Sequence, residues 1–275
     1  MPLKQTTHYI GKGESIMKKF TALLLTLALL LPCLAGCGKK DTGSDLAYVQ
    51  DKGTLIVGIT EYAPMDYKDE NGQWTGFDAD FARAVAKELG VEVQFIEIDW
   101  DNKYFELDSK AIDCVWNGMT ITEEVKLNAA VSNPYVKNAQ VVVMSDEFAA
   151  DYNAVELLQT LNFAVEAGSA GAEALDALGI TDYTQVQTQS GALMEVAAGT
   201  ADACVIDITM ANAMTGEGTG YPNLTISQEL NTEEYGIGFR KDSDLVAKVN
   251  ELMAAMMTDG TLDALAETYS LTLVK

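Results

Sequence analysis

A chain of 275 residues that is 48% hydrophobic and 21% charged can bury a substantial core in one or two domains, and its usage is globular. Its 41 acidic and 18 basic side chains give a net charge of −23, which excludes the basic footprint that nucleic-acid binding needs. The one histidine is His8 and the four cysteines are scattered, so no clustered ligand set exists for zinc, and no metal or cofactor is expected.

The first residues read as a targeting segment. Lys18-Lys19 precede an apolar run over 20–31, which is too short to span a bilayer. Leu34-Ala-Gly-Cys37 then supplies a small-residue cleavage site that resembles a bacterial lipoprotein signal, with Cys37 lipidated as the mature N-terminus. Met17 is a plausible true start. Loss of residues 1–36 removes His8, four lysines and one glutamate, which deepens the net charge to −26. Anionic lipid repels so acidic a protein, so its membrane contact is expected through the lipid at Cys37. Residues 38–45 are polar and read as a tether.

Beyond the tether a short helix is expected over 46–50 and, after Gly53, a strand over 54–59. Asn71-Gly72 marks a hairpin between 64–67 and 74–77. Phe81, Val85 and Leu89 recur at helical spacing, so 78–89 is a helix stopped by Gly90. Period-two alternation makes 91–98 a strand. A short helix over 104–107 returns to the apolar run 114–116, a buried strand. Asn117-Gly118 reads as a loop, and Thr120 and Thr122 place hydroxyls ahead of a helix opened by Glu123-Glu124. A strand, a glycine loop and a helix N-terminus together can receive a small anion.

A second alternating set follows: strands over 139–144 and 161–165, a loop at 168–171, a helix over 172–178, a strand over 184–187, a helix over 192–198, and a strand over 203–206 ending at Asp207. An extended crossing is expected over 233–240, then helices over 245–257 and 262–269. This alternation predicts an α/β fold with mostly parallel sheets. Cys114 and Cys204 lie inside apolar strand runs and read as buried free thiols. Residues 109–118 echo 198–207, each with a helix end, a small or polar turn, an Asp, and a loop residue after the strand. Two such lobes with facing strand ends would enclose a ligand.

Gly53-Thr-Leu-Ile-Val-Gly, Tyr62-Ala-Pro, Gly76-Phe-Asp-Ala-Asp-Phe, Lys87-Glu-Leu-Gly, Ile112-Asp, Gly118-Met-Thr-Ile-Thr, Ser132-Asn-Pro-Tyr and the late Asp207 occur in a characteristic order. In that order the chain, from about 53 to 269, resembles the extracellular amino-acid-binding proteins of ABC importers, the family 3 solute-binding proteins. The resemblance implies a two-lobed periplasmic-binding-protein type II fold, each lobe a mostly parallel sheet flanked by helices, hinged by two crossing strands. Lobe 1 is then 46–139 with 240–275, and lobe 2 is 140–239. It implies a monomeric, non-enzymatic, extracytoplasmic protein whose partners are an amino acid and an ABC permease.

In the family an aromatic at the Tyr62 position covers the ligand, Gly118 and Thr120 contact the α-carboxylate with help from Ser169 and Ala170, and an acid at Asp207 takes the α-ammonium. Trp116, Asn117 and Met119 belong to the same candidate wall. The family usually places a carboxylate-gripping arginine where this chain has Val125; Arg83 and Arg240 lie elsewhere, and Lys126 points about 100° around the helix. Either N–H groups, hydroxyls and Lys126 hold the carboxylate, or the ligand lacks one. Glu61 and Glu166 add negative charge, which favours a polar ligand with a cationic or amine group. An enzyme on the same scaffold, of the cyclohexadienyl dehydratase kind with Glu166 or Glu61 as acid, and a sensor for a non-carboxylate amine are the alternatives.

Overall fold

The computed structural model describes residues 43–152 and 154–275; the expected signal segment, Cys37 and residues 38–42 of the tether lie outside the described residues. The chain first lays down β1 (Thr54–Ile59), the hairpin β2 (Tyr67–Lys68) and β3 (Trp74–Thr75), then β4 (Glu92–Glu97), β5 (Cys114–Thr120), β6 (Ala130–Val131) and β7 (Val136–Asn138). It crosses into β8 (Gln140–Ser145), builds β9 (Phe163–Glu166), β10 (Tyr183–Val186), β11 (Ala203–Asp207) and β12 (Leu224–Glu229), and returns through β13 (Glu233–Phe239).

One sheet has the order β4-β1-β5-β13-β6 with β7 also on β13, and the other β10-β9-β11-β8-β12. In the first, β4, β1 and β5 are parallel and β13 is antiparallel to β5. In the second, β10, β9 and β11 are parallel and β8 is antiparallel to β11. Each lobe thus repeats one plan: its second, first and third strands side by side, closed by a strand delivered from the other lobe. The echo between 109–118 and 198–207 is the sequence trace of that plan, since both segments feed the third strand.

Asn138 pairs with Glu233 in the first sheet and Val141 with Glu229 in the second. The chain therefore changes lobe at Ala139 going out and at 230–232 coming back. The expected lobe 2 boundary at 239 falls too late, because β13 is paired along its length in the first sheet, where it fills the place beside β5.

Local chemistry accounts for the elements that frame the cleft. The helix Phe77–Leu89 buries Phe77, Phe81, Val85 and Leu89 and ends on Gly90 at φ 73. Thr122, Ser169 and Thr188 each accept a backbone N–H of the first turn that they cap. Asn117-Gly118, expected as a loop, lies inside β5. Between Val115 and Met119 that strand spends more residues than β13 does between Gly238 and Gly236, a bulge that Gly118 enters at φ 57.

The start of β5 is held by buried charge. The Asp113 carboxylate, fully buried, accepts from the Ile56 backbone N–H at 2.7 Å and pairs with Lys52 at 2.6 Å and Arg240 at 3.3 Å. Arg240 also pairs with Asp45 at 3.0 Å, which ties the first described helix and the C-terminal segment to the central strand. Cys114 and Cys204 are buried and free.

Candidate functional site

The C-terminal ends of β5, β9 and β11 face one another across the lobes, the usual ligand position in open α/β sheets, and line a narrow cavity with ≈ 30 Å³ of room for the centre of a water-sized sphere. Asp207 stands at the end of β11 and is 3% exposed. Its Oδ1 accepts from Asn138 Nδ2 at 2.6 Å and Gln140 Nε2 at 2.5 Å, and its Oδ2 from Gln189 Nε2 at 2.5 Å. Gln189 Oε1 accepts the Asp207 backbone N–H at 2.8 Å, which fixes the orientation of that amide. Three donors occupy three of about four acceptor positions on a carboxylate, so Oδ2 keeps one for another donor. Burial, followed by the nearby Glu233 carboxylate, pushes Asp207 up to about 7 against the pull of the three amides.

Glu233 stands behind this cluster. Its Oε1 accepts from Asn138, from Gln140 and from the Thr120 hydroxyl at 2.6 Å. The Thr120 proton is thereby committed, which leaves its oxygen as an acceptor.

Tyr62 reaches from the first lobe to the second: its hydroxyl bonds those of Thr209 and Tyr235. Burial and the adjacent Asp207 charge hold its phenol well above the usual range. A Cβ on Gly118 would meet Tyr62 Cε1 at 2.6 Å, so glycine is what lets this aromatic lie against the strand. The Gly118 N–H does not face a ligand; it donates to Asp78 Oδ2 at 2.6 Å. Asn117 lines the cavity, but both its amide protons are spent, one on Thr60 O at 3.1 Å and one on Asp66 Oδ2 at 2.7 Å. Its side chain locks β1 to β5. Met119 is also on the wall, with its thioether against Gly238.

Two expected residues lie elsewhere. Trp116 is fully buried on the far face of β5, edge-on to Phe81 at 4.8 Å, because alternate strand residues point to opposite faces. Glu61 is exposed and borders a separate groove with Glu97 and Thr188. Glu166 does line the cavity; it is 3% exposed, with Oε1 unpartnered, and burial and then Asp207 hold its carboxyl well above the usual range. Ser169 and Ala170 bring the N-terminus of the helix Ala170–Ala177 to the same wall.

Gln140, Gln189, Trp100, Lys103, Glu124 and Glu173 also line the cavity, and no sequence signal set them apart. Glu173 accepts from the Thr122 hydroxyl of the other lobe at 3.3 Å. Val125 faces the cavity, whereas Lys126 pairs with Glu123 at 2.8 Å on the exposed side of its helix. Arg83 and Arg240 are engaged with Asp80, Asp45 and Asp113. Neither arginine lines the cavity.

Residues 55–272 match the bacterial extracellular solute-binding proteins, family 3. The chain belongs to this family. Its relatives include the probable amino-acid-binding protein YxeM of Bacillus subtilis, 32% identical over 92% of this chain and 95% of that one. The arginine-binding extracellular protein ArtP of the same organism is 29% identical over 92% of this chain and 98% of that one. Among solved structures, the ancestral amino acid-binding protein AncCDT-1, a precursor of cyclohexadienyl dehydratase, superposes with a TM-score of 0.75 at 33% identity over 82% of this chain and 99% of its own. The solute-binding family thus has the two-lobed architecture found here, and its relatives are binding proteins.

Proposed function

We propose that this solute-binding protein captures an amino acid with a cationic or amine-bearing side chain and presents it to an ABC importer. One observation carries the reading: among the described residues Asp207, Glu166, Glu124 and Glu173 line the cavity against a single lining cation, Lys103. A low-dielectric cavity with that balance favours positive charge. Asp207, with one acceptor position left on Oδ2, takes the α-ammonium, Glu166 faces the cationic part of the ligand, and Tyr62 and Trp100 cover its apolar stem. The hinge is Ala139 with 230–232, about which the lobes close. Similarity to the arginine-binding ArtP supports the charge class. Cys37 carries the lipid that keeps the monomer at the outer membrane face of the cell, within reach of its permease.

Isothermal calorimetry against the twenty L-amino acids tests this. Tightest binding by a cationic or amine-rich member is expected, and silence across the panel overturns the proposal. A second reading has one observation in its favour: Glu166 is a buried carboxyl with a raised pKa, the state of a general acid. Turnover of a cyclohexadienyl acid by the purified protein would replace binding with catalysis.

A further inference from the structure

Val125 occupies the position where the family resemblance puts a carboxylate-gripping arginine. It is 5% exposed and lines the cavity with a side chain that donates nothing. Lys103 lines the same cavity from the helix Lys103–Asp108 and is 3% exposed. Its Nζ donates to Trp100 O at 3.3 Å and, across the cleft, to Gly168 O at 2.9 Å. An ammonium has three N–H donors; two are spent on carbonyls, the charge lies over the Trp100 and Tyr104 rings at 5.1 and 4.8 Å, and one N–H keeps no oxygen partner. Among the described residues no carboxylate pairs with it within 4.0 Å; Glu124, Glu166, Asp101 and Glu173 act on it only at longer range, so no direct ion pair occupies its free N–H.

The place of that ammonium is informative. Gly168 directly precedes Ser169, the N-cap of the helix Ala170–Ala177, so Nζ lies beside the positive end of a helix dipole that favours an anion. Asp207 lies on another part of the same wall, at the end of β11. The cavity therefore offers a carboxylate at Asp207 and an ammonium at Lys103, the two charges a zwitterion requires, with Glu124, Glu166 and Glu173 also close enough to act on the ammonium.

We propose that Lys103 stands in for the missing arginine, its ammonium and the N-terminus of the Ala170–Ala177 helix together holding the ligand's α-carboxylate. This rests on the amino-acid reading above and completes it. Neither Lys126 nor a ligand without a carboxylate is then needed.

The test compares each L-amino acid with its own α-carboxamide by calorimetry, in the wild type, Lys103→Met, Lys103→Gln and the double variant Lys103→Met/Val125→Arg. In the wild type the amide of the tightest ligand binds roughly 10- to 100-fold more weakly than the acid, the worth of one charge-assisted hydrogen bond. In Lys103→Met, or in Lys103→Gln should the Met variant fail to fold, acid and amide converge to within about threefold. Val125→Arg in the Met background reopens the gap. A Lys103 that merely ties the lobes through Gly168 O would weaken acid and amide alike and leave their ratio untouched, and that result overturns the inference. Equal binding of acid and amide by the wild type overturns it too. Silence of the wild type toward every amino acid overturns the amino-acid reading itself, and the inference falls with it.

Discussion

Replacing Asp207 by Asn tests the electrostatic heart of the cleft with little change of shape. Asp207 is 3% exposed and already accepts three side-chain amides, so the ligand ammonium meets an oriented and desolvated charge. Removing one partner of a buried, hydrogen-bonded charge pair costs about 2–5 kcal/mol; taking about 3 kcal/mol, affinity falls roughly 100-fold. The pH dependence gives a second and independent readout. In the unliganded protein Asp207 gains its proton as pH falls through about 7, and a cationic group binds the ionised form. Affinity is therefore full above about pH 8 and falls roughly tenfold per unit below 7, to about 100-fold weaker at pH 5. The effect on stability has the opposite sign. A carboxyl raised above its unfolded value contributes stability that is present below about pH 4 and is lost as pH rises through about 7. Calorimetric titrations at pH 5 to 9 of wild type and variant, with circular dichroism to confirm folding, read both effects. A loss below about threefold, or a pH slope unchanged in the variant, would refute the reasoning.

Asp113→Ala leaves Arg240 and Lys52 without their buried partner and is expected to cost about 3–5 kcal/mol in urea unfolding, with ligand affinity unchanged once the protein is folded. Gly118→Ala forces a Cβ to 2.6 Å from Tyr62 at a positive φ and should destabilise by about 1–3 kcal/mol, with a fall in affinity because Tyr62 must move. Trp100 lines the cavity while Trp116 packs on Phe81. Ligand-induced change in tryptophan fluorescence is therefore expected to vanish in Trp100→Phe and to persist in Trp116→Phe.

Much of the frame is legible in the chain because its causes are local. Gly90 ends a helix whose apolar spacing is visible, Asn71-Gly72 turns a hairpin, Thr122 and Ser169 announce helix starts, and Asp207 closes an apolar strand run. The second-lobe edge strand β12 and the helix Ile208–Met214 drew no expectation. Leu-Thr-Ile-Ser-Gln-Glu in β12 is mostly half-exposed, and its pairing comes from β8, far away in sequence.

What the sequence by itself determined is the set of elements, the repeated lobe plan and the acid at Asp207, since each follows from spacing or from neighbours a few residues apart. The tertiary structure decided which face each residue took. Every residue of β5 is buried, so burial pattern cannot say that Trp116 joins the core while Met119 reaches the cleft; only the bulge against β13 settles it. It also decided that Asn138, Gln140 and Gln189 meet on one carboxylate, and that Lys103 arrives beside Gly168. Those contacts join segments from two lobes, and a lone glutamine or lysine carries no periodicity that could foretell its partner.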